Sequence, residues 1–400
     1  MRPKQLFFYM QKGLIALAIG AFTIGMTEFV MMGILPDLAA SLKISIPEAG
    51  HFISAYALGV VVGAPFLTIF LQNKPPKTAL IILAAWIMVF NSLSAVANDY
   101  WSLLIMRFLS GVPHGTFFGI GAVVAGKLAK EGKTAQAIAV MFSGLTIANV
   151  IGVPLGTYIG HYIDWRITFC IVGVIGLLTI VSIIYWLPKF QANENSSFKK
   201  DLAIFKRVDL WLVLAIAIIG TGGFFSWYSY IAPLFTEVSK FDAGAVTYLM
   251  VVAGLGMTFG NFLGGKLSDT YSPLIATIGL LVGMCIVLML LTFVADNQIT
   301  VTIMTFVIGA VAFAIVAPVQ IMMMQSAKGA EILGSSISPA AMNAGNALGA
   351  YLAGIPLTMG YGYTSPDWVG FALAFVGILI ALALFFHRKQ QETTLITCKA

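Results

Sequence analysis

The sequence predicts an all-α integral membrane protein with twelve spanning helices in two pseudo-symmetric six-helix halves. Three observations carry that expectation. Hydrophobic residues make up 59% of the 400 and charged residues only 10%, where soluble domains carry about 25%. The apolar residues form long continuous runs, not the short alternating segments of a barrel. Each run approaches the ~20 residues needed to cross a bilayer as a helix.

The runs fall at 13–35, 49–71, 79–97, 100–125, 135–160, 167–187, 209–234, 244–267, 273–295, 299–325, 332–361 and 366–386. Arg2, Lys4 and Lys12 precede the first. That run exceeds the apolar core of a signal peptide, about 7–15 residues, and has no clear cleavage site, so it reads as a retained span. Basic residues set the orientation. Of the 22 Lys and Arg, Lys43, Arg166 and Lys240 lie in the loops of one side and Arg107 within a span. All the others lie on the side of the two termini, which is therefore expected to be cytoplasmic, in a plasma (inner) membrane. An even number of spans agrees.

The longest polar stretch follows span six. It divides the chain into an N-terminal half (1–188), a basic linker rich in Asn and Ser (189–208), a C-terminal half (209–390) and a cytoplasmic tail (391–400). A short repeat supports the division: Gly152, Leu155, Gly156 and Tyr158 of span five recur as Gly345, Leu348, Gly349 and Tyr351 of span eleven. The net charge of +6 does not point to nucleic acid, because the basic residues sit in loops and termini and form no single face. Cys170, Cys285 and Cys398 have no metal or redox spacing and read as free thiols. No metal box and no hydrolase triad stand out. Gly260 to Lys266 begins like a phosphate-binding loop, but Leu267 follows where Ser or Thr is required and no strand precedes it.

Two charges lie well within the runs. Glu28 is in span one and Arg107 in span four. A charge at the bilayer centre costs roughly 2.5–3.5 kcal/mol on insertion scales, so such residues mark ion or solute pathways. Glu28 reads as a carboxyl that takes up and releases a proton, or as a structural hydrogen-bonding group. Arg107 reads as a tuning group beside a proton carrier, an anion site, or an anchor between helices. Depth alone allows the two to pair. His114, two turns along span four, suits a proton relay or a neutral hydrogen-bonding role. In span five, Gly144, Gly152, Pro154 and Gly156 suit close helix approach and bending. Span seven carries Trp227, Tyr228 and Tyr230 between Gly222 and Pro233, a surface for stacking on a flat solute or an interfacial aromatic belt. Phe29, beside Glu28, joins them, and Asn149, Asn261, Gln320, Gln325, Asn343 and Asn346 are further candidate ligands. Each amide suits a helix-to-helix hydrogen bond equally well.

These residues resemble a family. The twelve spans resemble the major facilitator superfamily over essentially the whole chain. Met26 to Pro36, Ala49-Gly-His51, Tyr56 to Pro65, Arg107 to Gly115, Ala317 to Ile321 and Gln325 to Gly329 resemble its sugar-efflux and drug:proton antiporter branch, including the AraJ-type arabinose efflux proteins. By that resemblance Arg107 matches an arginine tied to proton coupling, Gly144 to Gly156 matches an antiporter motif, and Gly265 to Asp269 matches the second-half copy of a gating loop, with Gly265 and Asp269 in its gating positions. The first-half copy departs, with Asn73 where Asp is usual. The resemblance implies a non-enzymatic secondary transporter working by alternating access. Its energy source would be a proton gradient, with no cofactor. Its partners would be a small solute, protons and the bilayer, and it is expected to be a monomer. Uptake by symport, uniport of a sugar or nucleoside, and a non-transporting sensor stay open as alternatives.

Overall fold

The computed structural model describes residues 3–71, 74–129, 134–191, 202–328 and 331–397. Asn73, half of the linker and the end of the tail with Cys398 lie outside these residues. The described residues contain helices and no strand.

Ten helical stretches are long and apolar enough to cross a bilayer. One of them, Val140–Trp186, has 47 residues, about 70 Å as a single helix and more than twice the ~30 Å hydrocarbon core. It breaks at Asp164, whose extended backbone and side-chain bond to the Arg166 amide start a new helix. The 28-residue helix Glu331–Thr358 supplies a further crossing, and the crossings then number the expected twelve. We label them α1 (Pro3–Gly33), α2 (Ile46–Leu71), α3 (Pro76–Ala95), α4 (Tyr100–Gly111, continued as His114–Leu128), α5 (Thr134–Ile147 through Gly160–Asp164), α6 (Trp165–Trp186), α7 (Val208–Ala215 through Thr221–Ser229), α8 (Ala245–Thr270), α9 (Pro273–Val294), α10 (Gln298–Ala314, continued as Val316–Ser326), α11 (Glu331–Thr358) and α12 (Ser365–Thr397). Large side chains such as Phe70, Tyr185, Phe262 and Phe293 cover the outside and are exposed, as lipid-facing residues are.

Glycine sets the packing within each half. A Cβ on Gly59 or Gly63 of α2 would strike the carbonyls of Phe108 and Val112 of α4. In the second half, Gly256 and Gly260 of α8 stand in the same relation to Phe306 and Ala310 of α10. The two halves therefore repeat one close-packed helix pair, since only glycine lets backbones approach this far. Gly345 of α11 lies against the Ile218 carbonyl of α7 as Gly144 of α5 lies against the Ala18 carbonyl of α1. Gly144 is thus the packing counterpart of Gly345, whereas the short sequence repeat aligned Gly152 with it.

Two seams join the halves. Along α2–α11, Ser54 Oγ donates to the Ala347 carbonyl and the Tyr230 hydroxyl of α7 reaches the Ala350 carbonyl between Gly50 and Gly354. Along α5–α8, the Asn149 carbonyl abuts Gly254, and Tyr162 abuts Gly244. These contacts crowd toward the end of the bundle away from the termini, here the far end. At that end Asp99 caps α4 by accepting from the Trp101 and Ser102 amides, and hydrogen bonds from Ser102 hold its carboxyl below the usual carboxylate range. At the near end, Lys77 donates to the Ile184 and Leu187 carbonyls, and Arg388 pairs with Asp209.

Candidate functional site

Arg107 is fully buried in α4. Its guanidinium donates to Thr27 Oγ1 at 3.0 Å and to the Thr27 carbonyl at 2.9 Å. It lies 4.6 Å from the Tyr56 ring centre and 5.4 Å from that of Phe169. Thr27 Oγ1 passes its own hydrogen to Asn91 Oδ1, and Asn91 Nδ2 donates to the Ile87 carbonyl. The charge is thus held by α1, α2, α3 and α6, all of the first half. Aromatic faces and oriented dipoles replace the water it has lost. Nε alone is without a hydrogen-bond partner among the described residues.

Glu28 follows Thr27 on α1 and is 5% exposed. Arg107 stands among the charges acting on it, and the Asn343 side chain of α11 lies close enough to act on its carboxyl. No ion pair joins Glu28 to Arg107 among the described residues. The pairing that depth allowed is replaced by Arg107 on Thr27 and Glu28 on the opposite half. Asn343 Nδ2 also donates to the Pro339 carbonyl of its own helix. Asn346, one turn on, is 1% exposed with neither amide atom bonded.

His114 joins the same network. Its Nδ1 lies 3.1 Å from the Tyr56 hydroxyl, and Tyr56 carries Arg107 on its ring. A chain of contacts runs His114–Tyr56–Arg107–Thr27, and Glu28 adjoins its end. Phe29 packs edge-on to Tyr228 of α7 at 6.0 Å and meets Phe313 of α10 at 6.5 Å. Phe224 stacks on Tyr228 at 4.9 Å. This aromatic layer spans the halves one residue from Glu28.

The other sequence candidates are scattered. Trp227 contacts Phe224 and Tyr228, but its register places it toward α12: Gly223, one turn back, lies against Gly370 and Ala374. Tyr230 plugs the far-end seam and lies outside the Glu28 cluster. Asn149 sits in a widened turn of α5, Ala148–Gly152, its Nδ2 on the Leu145 carbonyl. Asn261 of α8 is exposed two turns from Gly254 on the same face, toward the near end. Gln320 is half-buried in the near-end part of α10. Gly144, Gly152 and Gly156 pack α5 onto α1 and α6, and Pro154 is buried among them. Gly265 has open space around it, and the Asp269 side chain lies outside the description.

Four residues of consequence were missed. Thr27, Asn91 and Tyr56 complete the Arg107 socket; their signal was polarity at span depth, weaker than formal charge. Asp367 stands at the start of span twelve, where depth suggests exposure, yet it is 1% exposed.

The chain belongs to the Major Facilitator Superfamily, whose profile matches residues 17–338. It is a membrane transporter of a small solute. A transporter of Escherichia coli strain K12 named AraJ is 39% identical over 96% of this chain and 97% of its own. The inner membrane transport protein YdhP of the same strain is 40% identical over 96% and 98%. Among solved structures, a point mutant of the nucleoside transporter NupG superposes with a TM-score of 0.73 at 12% identity, over 94% of this chain and 99% of that one. At that identity it supports the fold alone.

Proposed function

We propose that the chain exports a neutral or weakly polar solute by exchange for protons, with both termini in the cytoplasm and the far end extracellular. One observation carries the reading: Glu28 of the first half meets Asn343 of the second, so its protonation state bears directly on the contact between halves. As a carboxylate, Glu28 accepts from the Asn343 amide and stands in the field of Arg107. As an acid, it donates a hydrogen and loses its charge. A group whose bonding across a moving seam changes with its proton links proton binding to alternating access. Arg107 is held by Thr27 and tunes Glu28 without neutralising it. Tyr56 and His114 lead away from the pair as hydrogen-bonding groups. Phe29, Tyr228 and Phe224 offer faces for a flat or sugar-like ring, with Asn343 and Asn346 as its polar contacts. Gly265 and Asp269 at the near end, and the glycines of α5, serve the rocking of the halves. Support for the family-level part comes from the relatives; coupling, direction and substrate class rest on the site.

The test is reconstitution into liposomes holding a pH dye, challenged with sugars, nucleosides and cationic drugs. A solute-dependent pH change that is lost in Glu28→Gln supports proton exchange and identifies the substrate class. Solute flux with no pH change means uniport and makes Glu28 structural.

A further inference from the structure

The second half holds a buried acid that the site above does not use. Asp367 lies in the first turn of α12 and is 1% exposed, and among the described residues neither carboxyl oxygen has a hydrogen-bond partner. On α7, Trp227 is equally buried and its Nε1 is also without a partner among the described residues. Helix register brings the two together. Gly223 lies against Gly370 and Ala374, so one turn toward the far end puts Trp227 on the α12-facing side of α7 and Asp367 level with it. The Gly370 position also faces Leu288 of α9, which makes the crevice three-sided.

No charge there answers Asp367. Among the described residues α9 has no acidic or basic side chain; its Cys285 thiol lies against the Phe371 carbonyl, one turn inward. The described part of α11 has none along its far half, only Tyr351. On α7 the titratable Tyr230 is committed to Ala350. Glu237, Asp296 and Tyr363 stand at the mouth, where burial raises the Tyr363 hydroxyl above its ordinary value. On α12 the next acidic, basic or histidine side chain is His387, at the other end. An unpaired carboxylate in such a place is costly, and the usual outcome is neutralisation.

We propose that Asp367 is a proton-binding site in the second half, and that the proton it holds keeps the far end of α7 packed on α12 and the far-end gate shut. α7 connects the two: Trp227 lies on its α12-facing side at the level of Asp367, Tyr228 meets Phe29, and Tyr230, where the helix backbone breaks, fills the gap between Gly50 and Gly354. Loss of the proton puts a charge in the crevice, draws in water, parts α7 from α12 and withdraws Tyr230. The extracellular placement of this end rests on the function proposed above; the existence of the site does not.

The test is labelling of Ser54→Cys, on the α2–α11 seam, by an impermeant maleimide added outside vesicles, in a background with the three native cysteines replaced by alanine. No solute is used, and the measurement is made in an E28Q background as well as in the wild type, so that a response of the seam carboxyl is separated from that of Asp367. Normalised at each pH to the labelling rate of the denatured protein, because the thiolate is the reacting species, labelling is expected to be several-fold faster at alkaline than at acid external pH. In the E28Q background the step should persist, D367N should label slowly at both pH values and D367E should restore the step; H51Q, which removes another titratable group near that gate, should keep it. A wild type without the step, a D367N that retains it, or loss of the step in E28Q or H51Q overturns the proposal. Should D367N fail to insert, infrared spectra of E28Q decide: a protonated-carboxyl band that disappears at alkaline pH is required, and its absence overturns the proposal.

Discussion

Arg107 shows how a buried charge is made tolerable without a counter-ion. Thr27 accepts from it through both its hydroxyl and its carbonyl, and the hydroxyl can accept only while its own hydrogen goes to Asn91. Thr27→Val keeps the shape and removes both hydroxyl links. A buried donor left without a partner costs about 1–3 kcal/mol, so the variant should melt lower in detergent and transport more slowly; an unchanged melting temperature would remove Thr27 from the socket. Glu28 and Arg107 were legible in the sequence because formal charge inside an apolar run is rare. Their partners were not, since Thr27, Asn91 and Tyr56 look like ordinary span residues until the helices are placed. Asp367 was hidden differently: a residue at a span's edge is expected to reach water, and burial by neighbouring helices is a property of packing.

Helices in this protein are fitted by glycine. Gly63 meets the Val112 carbonyl, whereas a Cβ on Gly279 of α9 meets nothing within 4 Å. Gly63→Val should therefore abolish folded protein, while Gly279→Ala should be neutral or stabilising by about 0.5–1 kcal/mol, because glycine is costly within a helix. Equal yields of the two variants would contradict the packing described. The α4 cap gives a second expectation. Ser102 holds Asp99 ionised below the usual carboxylate pH range, so the cap contributes at neutral pH and is lost as pH falls through that lowered value. Hydrogen exchange at the Trp101 and Ser102 amides should rise on acidification, and should be high at all pH in Asp99→Ala. Helix number and order were readable from run length alone; the division of Val140–Trp186 at Asp164 follows the gap already visible between the fifth and sixth runs. Helix neighbours were not readable, which is why Trp227 and Tyr230, one aromatic cluster in sequence, point to α12 and to the far-end seam.

The whole molecule is two helical halves meeting at α2–α11 and α5–α8, with Tyr230 filling the far-end seam. Tyr230→Phe removes one buried hydrogen bond, worth about 0.5–1.5 kcal/mol. That should shift the closed-to-open balance by up to about tenfold, seen as faster external labelling of Ser54→Cys; no change would make the plug a passive contact. The central claim is that the carboxyl at the seam carries the coupled proton. Its most direct measurement compares, in the same vesicles, solute exchange at equilibrium with solute movement driven by a pH gradient. Glu28→Gln is expected to keep exchange near wild type and to lose gradient-driven movement. Gradient-driven movement that survives in Glu28→Gln would contradict the account.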